Sequence, residues 1–269
     1  LYNMDMKNTY KIVSFLLAVV LMSCDTSSTS YSMNENSSNN NENGTNNSDL
    51  PLGFTKFISE YTDVYISGDY VIIETEGLPN HPSPYWGAGH LNYSSPHNGM
   101  SVNPNKISSQ NFKFYIPISP SPSNSVSSTP LGPIGVSISG VPFYNQYAGM
   151  NQPLTREINS FDQGNGHPAP IAPGQENGVD GRYHYHMEPI LTSKEKGRNV
   201  ILGFLLDGFP VYGPEENGNI IISSDLDNYH GHSHGTSDFP SGIYHYHLTA
   251  DDPYLNGSGY YGTPGTVNQ

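Results

Sequence analysis

Two stretches of the chain place histidines at a spacing that can hold a metal ion: "GRYHYHMEP" at residues 181–189 and "GIYHYHLTA" at 242–250. In a β-strand, alternate side chains share a face. His184 and His186 then point one way, with Tyr183 and Tyr185 on the other face. His245 and His247 stand in the same relation to Tyr244 and Tyr246. Histidines at i and i+2 lie about 7 Å apart at Cα, close enough for both imidazoles to lean onto one ion. A Tyr-His ladder with hydrogen-bonded hydroxyls also makes a sound strand without any ion. Spacing alone leaves both readings open.

The neighbouring residues recur too. "ISGVPFYN" (138–145) matches "LDGFPVYG" (206–213), and "FDQGNGH" (161–167) matches "LDNYHGH" (226–232). The two Tyr-His-Tyr-His blocks make a third matched pair, and the offset between copies shrinks slightly from one pair to the next. Three blocks repeated in the same order imply an internally duplicated unit, residues 134–187 and 202–248. Each copy then contributes a third imidazole, His167 or His232, and a matched carboxylate, Asp162 or Asp227. The carboxylates are read as ligands or as partners that orient a histidine. The glycine before each third histidine is read as a tight turn delivering the side chain. The candidate metal set is therefore His184, His186, His245, His247, His167, His232, Asp162 and Asp227. Nitrogen and oxygen donors suit Zn, Cu(II), Ni, Mn or Fe and exclude a thiolate site.

Other residues carry weaker signals. "YHGHSHG" (229–235) adds His230 and His234, read as a polar turn or a weak surface trap for metals. His81, His90 and His97 have no partner at ligand spacing and are read as surface or structural residues. Asp207 ends the apolar run in "LLDGFPVYG"; it reads as a turn cap, with a role as acid or base the alternative. "GHSHG" (231–235) has the form of a nucleophile elbow, but Pro240 and Gly242 follow and no helix can start promptly. No Walker A loop, dinucleotide fingerprint, HExxH or EF-hand loop occurs. No catalytic residue or substrate follows from these patterns.

The elements that must position these residues are strands. "DYVIIETEG" (69–77) alternates, and "NFKFYIPI" (111–118) puts Phe112, Phe114, Ile116 and Ile118 on one face. "IGVSISG" (134–140), "VILGFLLDG" (200–208) and "NIIISS" (219–224) read as buried strands, and only 191–198 suggests a short helix. With 28 Gly and 22 Pro, the expected fold is all-β and loop-rich with little helix, a sandwich or distorted barrel over residues 54–269.

Residues 1–24 read as a lipoprotein signal peptide: Lys7 and Lys11, a short apolar run from Ile12, then "LMSC" with Cys24 as the lipidation site. Residues 25–53 read as a disordered tether, since Ser, Asn and Thr make up most of 25–50. Cys24 is the one cysteine, so no intrachain disulfide is available. A net charge of −14 argues against a nucleic-acid partner. The expected location is the bacterial cell envelope, periplasmic or on the surface, with the membrane reached through the lipid anchor.

The paired Tyr-His-Tyr-His blocks, the "GVPFYN" and "DGFPVYG" blocks, "HPSPYW" (81–86) and "GYYGTPG" (259–265) together resemble the YHYH-domain family of bacterial exported proteins, over roughly 64–265. The resemblance implies an exported domain and no particular reaction. It places cysteines near the Gly-His and Gly-Thr-Pro elements, and this chain has none there. The leading expectation is binding of a divalent transition metal through the paired histidines. The alternative is a module for a glycan or another small extracellular ligand, with tyrosines in loops such as "NGSGYYG" (256–262) as stacking surfaces.

Overall fold

The structure, a computed structural model, describes residues 50–170 and 181–269. The expected signal peptide, Cys24 and most of the tether lie outside the described residues. From Leu50 onward the chain packs: Leu50 touches the core, and the Phe54 ring stacks on Phe204 at 4.0 Å.

The described chain is mostly strand, as the period-two patterning implies. In order come β1 (Asp63–Ser67), β2 (Tyr70–Thr75), β3 (Phe112–Pro117), β4 (Pro122–Ser127), β5 (Pro133–Ser137) and β6 (Pro142–Tyr144). Then follow β7 (Tyr147–Ala148), β8 (Gln152–Pro153), β9 (Gly166–Pro168), β10 (Tyr183–Tyr185), the helix α1 (Ile190–Lys196), β11 (Ile201–Leu205) and β12 (Pro210–Tyr212). The chain ends with β13 (Glu215–Glu216), β14 (Asn219–Ile220), β15 (Gly231–His234), β16 (Ile243–His247), β17 (Tyr260–Gly262) and β18 (Thr266–Asn268). It is an all-β, sandwich-like fold, and no sheet among the described residues closes into a barrel.

A four-stranded sheet, β1-β2-β3-β18, supplies one layer. Its alternation turns Phe112, Phe114 and Ile116 inward. They share a core with Val136, Phe143, Phe204 and Val211 of the larger sheet. That sheet has eight strands in the order β15-β16-β12-β11-β5-β6-β10-β9. Its centre is the antiparallel pair β5–β11, where Val136 faces Phe204. Outward from the centre each half repeats one pattern. β5–β6 is antiparallel, β6–β10 parallel and β10–β9 antiparallel. On the other side β11–β12, β12–β16 and β16–β15 follow the same sequence. The matched sequence blocks thus occupy corresponding strands.

One expected strand differs. "NIIISS" does not form a buried strand: only Asn219–Ile220 pairs, with Glu215–Glu216, in a short hairpin arm. Ile220 and Ile222 are exposed and Ile221 alone is buried. The arm is too short to cross the sheet, so Ile220 and Ile222 have no layer to cover them.

Candidate metal centres

The first Tyr-His-Tyr-His block runs along β10 with His186 one residue past its end, and the second lies wholly on β16. On β10, His184 sits directly opposite His167 of β9, and on β16, His245 sits opposite His232 of β15. Register, not a turn, therefore brings the third imidazole to the pair. The glycines before His167 and His232 serve close packing instead. A Cβ on Gly166 would lie 2.5 Å from Tyr183 Oη, and one on Gly231 2.5 Å from Tyr244 Oη.

In the first centre, His167 Nε2 is 3.1 Å from His184 Nε2, which is 3.0 Å from His186 Nε2. All three side chains are buried. Their other ring nitrogens are spoken for. His184 Nδ1 donates to Arg182 O at 2.9 Å and His186 Nδ1 to Asn145 O at 2.5 Å. His167 Nδ1 lies 2.7 Å from Ser160 Oγ, whose one proton goes to Glu157 O at 2.7 Å. The serine oxygen must then accept from His167. A neutral imidazole carries one N–H, so every Nε2 here presents a lone pair, and three lone pairs face one another. Glu157 adds a carboxylate oxygen 3.6 Å from His167 Nε2. Phe161 covers the group, parallel to His186 at 5.7 Å and edge-on to His167 at 4.7 Å, while Tyr144 stacks on His184 at 3.9 Å.

The second centre is built alike and is richer. His247 Nε2 is 3.1 Å from His232 Nε2, which is 3.2 Å from His234 Nε2. Glu216 reaches in from the hairpin arm: its carboxylate lies 2.8 Å from His234 Nε2, 3.6 Å from His232, 3.7 Å from His245 and 3.8 Å from His247. His245 Nδ1 donates to Ile243 O, His247 Nδ1 to Gly213 O and His234 Nδ1 to Gly235 O, at 3.0, 2.8 and 2.9 Å. His245 Nε2 is buried without a hydrogen-bond partner. Arg198 holds the arm in place, bonding Glu215 at 2.9 Å and both oxygens of Glu188 at 2.9 and 3.0 Å.

The orienting contacts correspond between centres. Asn145 and Gly213, the acceptors for His186 and His247, are the last residues of the matched blocks "ISGVPFYN" and "LDGFPVYG". Such backbone acceptors fix the ring tautomer and aim the free nitrogen at an ion. Burial pushes His186, His245 and His247 down to about 4, and His167 and His184 well below the usual imidazole range. These imidazoles are therefore neutral near pH 7. Nitrogens bound at 2.0–2.1 Å to one tetrahedral ion would sit roughly 3.3–3.4 Å apart, slightly wider than the 3.0–3.2 Å between the paired nitrogens of the two clusters.

Asp162 and Asp227 are in neither cluster. Each accepts the hydroxyl of a strand tyrosine, Asp162 from Tyr183 at 2.8 Å and Asp227 from Tyr244 at 2.9 Å. Each also holds its own loop, through Gly164 N at 2.8 Å and Tyr229 N at 2.9 Å respectively. They build the turn behind the tyrosine face, away from the clustered imidazole nitrogens. Asp207 also lies on that side: it accepts from Tyr246 Oη at 2.6 Å and from Gly262 N at 2.9 Å. Buried His81 joins Tyr185 at 3.2 Å and Tyr183 at 3.4 Å. His230 is buried against Thr249 at 3.0 Å, His97 bonds Phe161 O at 2.9 Å, and His90 stacks on Trp86 at 4.2 Å. Tyr260 is buried, and Tyr261 uses one ring face on Tyr244 at 3.6 Å.

Glu157, Glu216 and the membership of His234 were not foreseen. His234 had a signal, since His-x-His in "GHSH" repeats the spacing of the Tyr-His-Tyr-His blocks. Reading it as a loop hid that; it is the strand β15. The glutamates had none.

Residues 113–221 and 215–258 match the model of the YHYH protein family, together more than half of the chain. The chain belongs to the YHYH protein family. Both tetrapeptides fall inside the matched spans, as do all the histidines and both glutamates of the two centres. No curated protein and no solved structure matches the chain.

Proposed function

We propose that this YHYH protein binds divalent transition-metal ions, one at each of two centres built from copies of a single repeated unit. The observation that carries the reading is the first centre's three Nε2 lone pairs, with successive nitrogens 3.1 and 3.0 Å apart and every Nδ1 proton already committed elsewhere. Acceptors facing acceptors in a buried site repel one another, and a bound cation turns that repulsion into coordination. Protons are a poor substitute, because burial disfavours charged imidazole. Two groups with ligand atoms within 4.8 Å of one another, His167-His184-His186 and Glu216-His232-His234-His245, supply the donors. Imidazole nitrogen, joined in the second group by the Glu216 carboxylate oxygen, is a donor set for Zn, Cu(II), Ni, Mn or Fe.

The test is elemental analysis of protein purified without a histidine tag, with melting temperature followed as chelator and metal are added. Two equivalents of metal per chain and a chelator-dependent drop in melting temperature are expected. Absence of both would end the reading.

The cellular setting of this proposal is the bacterial envelope, with Cys24 acylated and the domain tethered outside the cytoplasm. The leader pattern supports it, and a net charge of −14 draws cations toward the surface while giving nucleic acid no footing. Replacing Cys24 by Ala should release the protein from the membrane fraction and abolish incorporation of labelled fatty acid.

A further inference from the structure

The two centres match in their strands but not in their surroundings. In the first, His167, His184 and His186 are 4%, 3% and 2% exposed. Phe161 belongs to an apolar cluster with Leu154 and Tyr254 that roofs it. In the second, the side chains of His232, His234 and Glu216 are 26%, 35% and 19% exposed. A cavity of about 240 Å³ opens against Glu216 and His234, lined also by Tyr212, Asn199, Thr236 and Ser237. On its other flank a second cleft, about 490 Å³, again reaches His234 and Gly235.

The donors differ as well. His234 stands two places beyond His232; the same place beyond His167 is Ala169, so the first centre lacks a fourth imidazole. The carboxylates arrive from unmatched places. Counted from the matched blocks beside them, Glu216 corresponds to Ala148 and Glu157 to Ile222. The first centre thus offers three imidazoles beneath an apolar roof, with the Glu157 carboxylate, its side chain 33% exposed, beside His167 alone. The second offers three imidazoles and the Glu216 carboxylate, with His247 beside His232 and the most exposed imidazole, His234, at the mouth of a polar cavity.

Resting on the metal-binding reading, we propose that the centres are functionally unlike. The first retains its ion as part of the fold. The second exchanges its ion and admits a small oxygen- or nitrogen-donor ligand from the cavity onto the metal, in the place of His234. An open or displaceable position separates working metal sites from closed structural ones. The cavity's polar lining, with Tyr212 Oη bonded to Thr236 Oγ1 at 2.8 Å, suits a small hydrogen-bonding molecule rather than an apolar one.

The experiment loads the full chain with Co(II), counts bound metal and follows its extraction by chelator, with azide as the probe ligand. Two equivalents should bind, one leaving faster by about 10–100-fold, the span over which changes around a metal's ligands move its affinity. Azide should shift the visible spectrum of the fast ion alone. His245→Ala should remove both the fast phase and the azide response, and His184→Ala should remove only the slow phase. His234→Gln, on the exposed rim, should keep the fold, hasten the fast phase and strengthen the azide response. Loss of both ions at one rate, an azide response that survives in His245→Ala, or a His234→Gln protein indistinguishable from the parent would overturn this inference while leaving metal binding intact. Failure to bind any metal would remove both.

Discussion

His245 Nε2, wholly buried and without a hydrogen-bond partner, faces the Glu216 carboxylate across 3.7 Å. That carboxylate is within 3.8 Å of four imidazole nitrogens, the shared counter-charge of the second centre. Glu216→Gln keeps the shape and removes the charge. It should weaken metal binding at this centre by at least about tenfold and leave the first centre's equivalent in place. Metal titration with a competing chromophoric chelator would read both. Equal weakening of the two equivalents would argue against separate centres.

Removal of metal should lower the melting temperature near neutral pH, and His184→Ala or His245→Ala should each abolish part of that drop. The control is exposed His90→Ala, because His81 is buried in the tyrosine network and its loss would destabilise the fold with or without metal. The pH dependence has a definite sign. In the metal-free fold His186, His245 and His247 are pushed by burial down to about 4, below the ordinary value of about 6.5. The unfolded chain then binds more protons than the fold between those limits. The stability these three groups contribute to the metal-free protein is present above about pH 6.5 and lost as pH falls toward about 4. The chelator effect should survive at pH 5.5, where ordinary histidines are mostly protonated. Its disappearance there would show that the imidazoles titrate normally.

Asp207 works in the opposite direction. Burial pushes its carboxyl up to about 6 despite the bond from Tyr246. The fold therefore holds this proton more tightly than the unfolded chain does. Its contribution is fully present below about pH 4 and is lost as pH rises through about 6, on the order of 2–3 kcal/mol in all. Asp207→Asn should be nearly level with the parent at pH 7 or above it, and fall behind at pH 4. Urea unfolding with chelator present would show it. Parallel stability profiles would refute a raised carboxyl.

Gly166→Ala and Gly231→Ala form a matched pair. Each added methyl would press on the hydroxyl end of a packed tyrosine, Tyr183 or Tyr244, at 2.5 Å, and at Gly231 also on the backbone oxygen of His245. Overpacking of this kind costs about 1–3 kcal/mol. Both variants should melt lower, and each should also loosen the ion held by its own neighbouring histidine. Unchanged melting of Gly166→Ala would mean that the tyrosine yields freely, and of Gly231→Ala that the β16 backbone shifts as well.

Much of the fold is legible in the sequence because its signals are local. Alternation in "NFKFYIPI" is a property of one short consecutive run, and it returns as the inward face of β3. The histidine trios are legible because repetition marks them and register on β9–β10 and β15–β16 does the rest. The carboxylates are not, because nothing near Glu157 or Glu216 in sequence says what lies across from it. Glu216 arrives on an arm pinned by Arg198, a contact set by the finished fold. Asp162 and Asp227 invited the opposite mistake. They correspond in sequence and in structure, but what they share is a tyrosine hydroxyl, not an ion.

The pairing of Val136 with Phe204 bears on how such a protein can change. Residues at matching positions of the two sheet halves exchange across it: Gly135 faces Leu205, and Gly203 faces Ser137. One half on its own could meet a second copy of itself through the same register, as a symmetric dimer. In such a dimer every substitution appears twice, and the two pockets are bound to stay identical. Joining the halves in one polypeptide lifts that restriction. An alanine at 169 and a histidine at 234 can then coexist in a single molecule. Each pocket becomes free to drift toward a different task, while the seam between them keeps both in register.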